Sequence, residues 1–121
     1  MKTAEAIGAL GSLAQETRLS VYRLLVKHGP EGLSAGAVAQ ALDVPASSLS
    51  FHLHQLMHAG LITQSRQSRQ LIYAANYERM NALVAYLTEN CCGGASCAPV
   101  CEVPSRDEGV VREASARARR R

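Results

Sequence analysis

The sequence predicts a mainly α-helical domain of the winged helix-turn-helix class, in which a β-hairpin wing follows two closely linked helices. Apolar residues recur at helical spacing through most of the first 90 residues. The segment Asp43-Val44-Pro45 leaves room for only a tight link between two short helices. After Gly60 the helical period gives way to two short runs of extended character, which predict the hairpin.

The chain has room for one domain with a modest core, since it has 121 residues, of which 47% are hydrophobic and 19% charged. This size excludes most multidomain enzymes. With one Phe and no Trp, aliphatic side chains must form the core. We predict a folded domain at residues 1–90, followed at residues 91–121 by a Cys-rich segment and a flexible tail that ends in arginines.

Three helices are predicted before the tight link. The first two are indicated by apolar residues three and four positions apart: Ala6, Ile7, Leu10 and Leu13, then Leu19, Tyr22, Leu25 and Val26. The second helix should end at Gly29, because Pro30 disfavours its continuation. Ser34 is a predicted N-cap for a short third helix.

The fourth helix should begin near Pro45, end at Ala59-Gly60, and serve as a DNA recognition helix. Its apolar stripe consists of Leu49, Leu53, Leu56 and Met57. A recognition helix needs such an anchor on one face and short hydrogen-bonding side chains on the other. The predicted DNA-binding side chains are Ser47, Ser48, Ser50, His52 and His54, with packing as the alternative role of His52.

The hairpin is predicted from residues 61–66 and 69–73, around Gln67-Ser68. Arg66 and Arg69 near its tip are predicted to contact phosphates or the minor groove. Asn76 should cap a last helix that runs to Asn90. The alternative is a helical bundle whose polar helix face is merely solvated.

Charge and hydropathy bear on how the protein binds DNA and on its cellular location. The net charge is +3, but residues 1–101 contain seven basic and six acidic groups, so DNA affinity must come from locally placed residues. No apolar run approaches the roughly 18 residues of a membrane span, and the N-terminus lacks the features of a secretion signal. We therefore expect a cytoplasmic protein without a membrane partner.

All four cysteines, Cys91, Cys92, Cys97 and Cys101, lie within eleven residues. Thiols stay reduced in the cytoplasm, so this cluster predicts metal binding or redox chemistry rather than a disulfide framework. A redox enzyme would need a Cys-x-x-Cys motif or a basic or His neighbour, and neither is present near Cys91. The sequence therefore favours a binding protein over an enzyme.

Several motifs resemble the ArsR/SmtB family of metal-sensing winged-helix repressors. They are LAQETRL from Leu13, SLSFHLHQL from Ser48, AGLI from Ala59 and RQLIY from Arg69, and the resemblance extends over about residues 5–92. It implies a homodimer joined through the first and last helices. Such a dimer would bind an imperfect inverted repeat in double-stranded operator DNA until a metal or metalloid ion releases it. The chain departs from the family at Gln67-Ser68, where a glycine is often found.

The resemblance also bears on the inducer. The family's recognition-helix site needs a Cys-x-Cys near Ser48 to Ser50, where this chain has no cysteine. Its zinc site on the last helix needs Asp and His ligands, and residues 76–90 contain neither. The run YLTENCC from Tyr86 instead resembles the branch that senses trivalent arsenic. As(III) favours three thiolates in a pyramid. The expected ligands are Cys91, Cys92 and Cys97, although Cys101 can replace Cys97.

The function predicted is a repressor released from its operator by As(III) as arsenite, with antimonite, the corresponding Sb(III) species, as a second candidate inducer. One alternative is a sensor of zinc or another thiophilic metal that uses all four sulfurs, since structural zinc prefers four ligands. Another is a sensor of methylated trivalent arsenicals, which need only two thiolates. An arsenic carrier without DNA function would leave the serine-rich helix and the basic wing unexplained.

Overall fold

The computed structural model describes residues 1–94, which form five α-helices, three short strands and a terminal 3-10 turn. In chain order the elements are α1 (Thr3–Leu13), α2 (Glu16–His28), β1 (Leu33–Ser34), α3 (Ala35–Leu42), α4 (Ala46–His58), β2 (Ile62–Gln67), β3 (Gln70–Ala75) and α5 (Tyr77–Leu87), followed by the 3-10 turn Cys91–Gly94. The winged helix-turn-helix prediction is confirmed. Within residues 1–94 no helix is long and apolar enough to cross a membrane.

Side-chain caps fix where the helices begin. The side chain of Ser34 accepts a hydrogen bond from the backbone N–H of Ala37, and that of Asn76 accepts one from Arg79, so both predicted N-caps are confirmed. Gly29 ends α2 with a φ of 113°, a conformation that favours glycine.

An aliphatic core joins the helices to the base of the wing. Its largest fully buried side chains are Leu25, Leu49, Leu56, Leu61, Val21 and Val38. They come from α2, α3, α4 and the start of the hairpin, so α4 is attached to the domain along its whole apolar stripe. Residues of α1, α5 and the sheet complete the same cluster.

The sheet contains a strand that the sequence analysis did not predict. All pairs are antiparallel and the strand order is β1-β3-β2, with Leu33 opposite Tyr73. Gly32 makes this pairing possible, because a Cβ at that position would lie 2.6 Å from the carbonyl oxygen of Tyr73. β1 therefore attaches the wing to the residue that caps α3.

Two predicted boundaries are wrong. The hairpin turns at Ser68 and Arg69, one residue later than predicted, since Gln67 pairs with Gln70. Both turn residues have positive φ, 48° and 71°, the geometry that two-residue hairpins of right-handed twist prefer. The last helix ends at Leu87 rather than Asn90, and the hydroxyl of Thr88 donates to the carbonyl of Val84 in its final turn.

Candidate nucleic-acid interface and thiol segment

Helix α4 is held on one face and open to solvent on the other. Leu49, Leu53 and Leu56 are buried against the core. The opposite face presents four exposed residues at three- and four-residue spacing: Ser47, Ser50, Phe51 and His54. Three of these were predicted as DNA-binding side chains, and the structure brings them together on one surface.

The tight turn before α4 sets the angle between α3 and α4. Asp43 adopts a left-handed conformation with a φ of 56°, and the N–H of Val44 donates to the carbonyl of Ala39. Pro45 then starts the new helix, and its carbonyl accepts from the N–H of Leu49. Residues 46–48, which follow this turn, are exposed, and they lie in the part of a recognition helix that contacts bases.

Ser48 differs from the other serines of α4. Its hydroxyl donates a 3.1 Å hydrogen bond to the carbonyl of Pro45, so its proton is used inside the first helical turn. The oxygen keeps lone pairs to accept from a phosphate-bound water or a base amino group.

His52 lies half-buried between α4 and α2, beside Arg18. The guanidinium Nη1 of Arg18 lies 3.3 Å from Nδ1 of His52, and its Nε donates 2.6 Å to the carbonyl of Ser12. Because arginine only donates, Nδ1 accepts and the ring proton sits on Nε2. Partial burial lowers the pKa of His52, and the neighbouring Arg18 charge lowers it further. The ring thus joins α2 to α4 in its neutral form.

Acidification should therefore weaken the fold through His52. Below its usual pKa of 6.5 the unfolded chain takes up a proton that the folded chain resists, so stability is lost as the pH falls through that value. Urea melts of the wild type and His52→Gln, about one pH unit on either side, check this. The wild type should lose stability relative to His52→Gln at the lower pH, and a stability difference that is the same at both pH values would contradict this role of His52.

The wing places two guanidinium groups beyond the domain surface. Arg66 lies in β2 opposite Leu71, and Arg69 occupies the turn itself. Both are exposed, as are residues 63–65, while Ile62 and Tyr73 at the base are buried. The side chain of Gln64 donates 2.9 Å to the hydroxyl of Tyr73 and links the two strands midway.

The chain turns sharply where α5 ends and the cysteines begin. Asn90, Cys92 and Gly93 all have positive φ, between 57° and 68°, and the N–H of Cys91 donates to the carbonyl of Thr88. Cys91 is half-buried and Cys92 is exposed. Cys97 and Cys101, the other predicted ligands, lie outside the described residues.

Residues 1–94 contain no cluster of three or more His, Cys, Asp or Glu side chains placed to hold a metal. His54 and His58 lie one turn apart on α4, with ring centroids separated by 6.5 Å. Two rings without a further donor are a poor metal site. A three-thiolate site therefore needs at least one sulfur from beyond residue 94 or from another subunit.

Sequence reasoning missed Phe51 as a member of the open face of α4. Its spacing from Ser47 and His54 carried the signal, because residues three and four positions apart share a helix face. Apolar residues are assigned to the core by default, and Phe51 does not follow that rule.

Comparisons with known proteins agree with this geometry. Residues 13–65 match the helix-turn-helix domain family. The chain is 30% identical over 88 residues to the HTH-type transcriptional regulator YgaV of Escherichia coli, covering 73% of this chain and 87% of that protein. It is 35% identical over 79 residues to a protein of Halobacterium salinarum named "Putative arsenical resistance operon repressor ArsR", covering 65% of this chain and 60% of that protein.

A solved structure, the ArsR-like transcriptional regulator from Rhodococcus sp. RHA1, matches the fold with a TM-score of 0.64 and 26% identity, over 69% of this chain and 76% of that one. An anchored helix with a polar open face, beside a basic wing, is the arrangement of a DNA-binding regulator of transcription. The chain belongs to the ArsR/SmtB family of winged-helix regulators.

Proposed function

We propose that this protein is a homodimeric cytoplasmic repressor that binds double-stranded operator DNA and is released when As(III) binds thiolates that follow α5. The observation that carries the proposal is the pair Cys91 and Cys92, placed immediately after a helix that packs on α1. A ligand at this point acts on the end of a helix rather than on the DNA-binding face.

The open face of α4 and the wing supply complementary DNA contacts. Ser47, Ser50 and His54 present short hydrogen-bonding groups suited to base edges in the major groove. Arg66 and Arg69 suit the phosphates or minor groove on either side. Of the proposed contacts, His52 offers only its Nε2–H, because its other ring nitrogen accepts from Arg18.

Replacing the wing arginines should reduce the salt dependence of DNA binding. Each phosphate contact contributes about 0.9 to the steepness of the plot of log K against log salt. The double variant Arg66→Gln with Arg69→Gln should therefore reduce this slope by about 0.9 for each of the two arginines that binds a phosphate. Fluorescence anisotropy across a salt series measures it. Arg23→Gln on α2 removes a charge of the same type away from the wing. An equal flattening in that variant would contradict the assignment.

An apolar surface on the first and last helices suits the proposed dimer. Ile7 is 64% exposed and Leu10 43% exposed on α1, and Leu87 is 57% exposed at the end of α5. Exposed large apolar side chains on two helices that contact each other favour burial against a second copy. A dimer also presents two recognition helices, as an inverted repeat requires.

The proposed inducer site takes two thiolates from the described chain. A pyramidal As(III) site needs three, and Cys97 would supply the third, with Cys101 as its substitute. The alternatives differ in sulfur number: four for zinc, with Cys101 required, and two for a methylated trivalent arsenical. The name of the Halobacterium relative supports the arsenic assignment over zinc.

Helix α1 connects the thiol segment to the recognition helix. The hydroxyls of Thr3 and Tyr86 are hydrogen-bonded, and Nη1 of Arg79 lies 3.7 Å from Oε2 of Glu5. A hydrogen bond from the backbone N–H of Lys2 lowers the pKa of Glu5, as does the Arg79 charge, which favours the ionised carboxylate. Since α1 also packs on α4, a shift of the end of α5 changes the dimer and the spacing of its DNA-binding helices.

Titrating the protein with arsenite while it is bound to labelled DNA from the promoter of its own gene tests the proposal. Arsenite should weaken binding about 5- to 150-fold, the usual range of allosteric coupling. Zinc should have a smaller effect at equal thiol reduction. Release by zinc that requires Cys101 would replace the arsenic proposal with the four-sulfur alternative, and absence of DNA binding would overturn the repressor itself.

A further inference from the structure

Phe51 is the one large apolar side chain exposed on α4 within the described part of the chain. Its side chain is 57% exposed. Within residues 1–94 the other exposed large apolar side chains lie on α1, α2 and α5: Ile7, Leu10, Leu19 and Leu87. Phe51 therefore lies apart from the surface proposed for the dimer. The exposed part of the phenyl ring adds no apolar burial in the monomer, and a partner that covers it would bind the face that it occupies.

That face is otherwise polar. Ser47, Ser50 and His54 surround Phe51 at three- and four-residue spacing and are all exposed. In the major groove every base pair presents hydrogen-bonding groups, and only thymine adds an apolar group, its 5-methyl. A phenyl ring among hydroxyl and imidazole groups matches this surface: the polar side chains suit base edges, and the ring suits the methyl.

We propose that Phe51 is a specificity-determining residue that recognises the 5-methyl group of a thymine in each half of the operator. This inference rests on the proposed DNA-binding function and adds to it a base preference. Phe51 lies in the first two turns of α4, the part of a recognition helix that contacts base edges.

The ring has a fixed neighbour. The rings of Phe51 and His52 meet edge to face, with centroids 5.7 Å apart and an interplanar angle of 63°. His52 is itself held by Arg18, whose side chain is bound to the carbonyl of Ser12. The chain of contacts from α1 through α2 thus limits the positions that Phe51 adopts before DNA binds.

A methyl-deletion cycle tests the proposal on a duplex that the protein itself selects. The wild-type protein first enriches a bound duplex from a random library, and each thymine of that duplex is then replaced by deoxyuridine, which removes only the methyl. One position per half-site should weaken wild-type binding about fourfold, the effect of one buried methyl group. Phe51→Ala should bind more weakly and show no difference between thymine and uracil at that position.

His54→Ala is the matched control on the same face. It should lower affinity yet keep the fourfold thymine preference, and Phe51→Leu should keep part of it. A thymine preference that is undiminished in Phe51→Ala, or no uracil effect at any position, would overturn the assignment of Phe51. Failure of the library to yield any bound duplex would instead overturn the proposed DNA-binding function.

Discussion

The double variant Cys91→Ser with Cys92→Ser should bind operator DNA as tightly as the wild type and remain bound when arsenite is added. Serine keeps the size of each side chain, but its hydroxyl does not supply the thiolate that As(III) needs. Because Cys92 is exposed and Cys91 half-buried, the loss of two sulfurs should leave the fold unchanged. Fluorescence anisotropy with and without arsenite measures the effect, and circular dichroism verifies the fold.

Cys101→Ser is the matched control, since it removes one sulfur from the same cluster. It should still be released by arsenite, whereas the double variant Cys97→Ser with Cys101→Ser, which removes both candidates for the third thiolate, should lose much of the response. Release of the double variant by arsenite at wild-type concentrations would show that the inducer binds elsewhere. If Cys91→Ser and Cys92→Ser abolish release but the double variant Cys97→Ser with Cys101→Ser does not, the site has the two-thiolate character of a methylated arsenical sensor.

Placing carboxylates on α1, as Ile7→Glu with Leu10→Glu, should yield a folded monomer with at least about a 100-fold loss in operator affinity. Ile7 is 64% and Leu10 43% exposed in the single chain, so carboxylates at both positions can reach water in the monomer. An interface built on these positions would have to bury two charges per subunit. A monomer contacts only one half-site, so it loses the gain in affinity that two linked sites provide, which is commonly about 10²- to 10⁴-fold. Light scattering after size-exclusion chromatography gives the mass.

Leu19→Glu provides the comparison, because Leu19 is 44% exposed on α2, away from the α1 and α5 surface. It should remain a dimer and bind DNA normally. A dimer in the α1 variant, or a monomer in the α2 variant, would contradict the location proposed for the interface.

The helices could be predicted from the sequence because their signals are local. The apolar spacing of Leu49, Leu53 and Leu56 and the caps at Ser34 and Asn76 depend on neighbours within one or two turns. β1 could not be predicted, since two residues have no periodicity and their pairing depends on the close approach of Gly32 to Tyr73. The hairpin turn was displaced because Arg69 adopts a left-handed conformation that is uncommon for a residue with a side chain.

The candidate site was predictable to a similar extent. The polar face of α4 follows from its sequence, but the packing of His52 against Arg18 joins residues 34 positions apart and has no local signal. Phe51 was overlooked because exposure of an apolar ring depends on the tertiary fold. The cysteine cluster was evident from spacing, and its complete ligand set stays a prediction because Cys97 and Cys101 lie beyond residue 94.

The strand pairing at Gly32 bears on how an inducer can act. Through it the wing is bonded to the residue that starts α3, and α3 and α4 share a core with the base of the wing. The wing and the recognition helix are thereby connected through a strand pairing and a shared core. The expected target of regulation is therefore the separation of the two recognition helices in the proposed dimer. The inducer would then change the distance between the two DNA-binding units of the dimer, and with it the spacing of half-sites that the protein can bind, without changing the conformation of either unit.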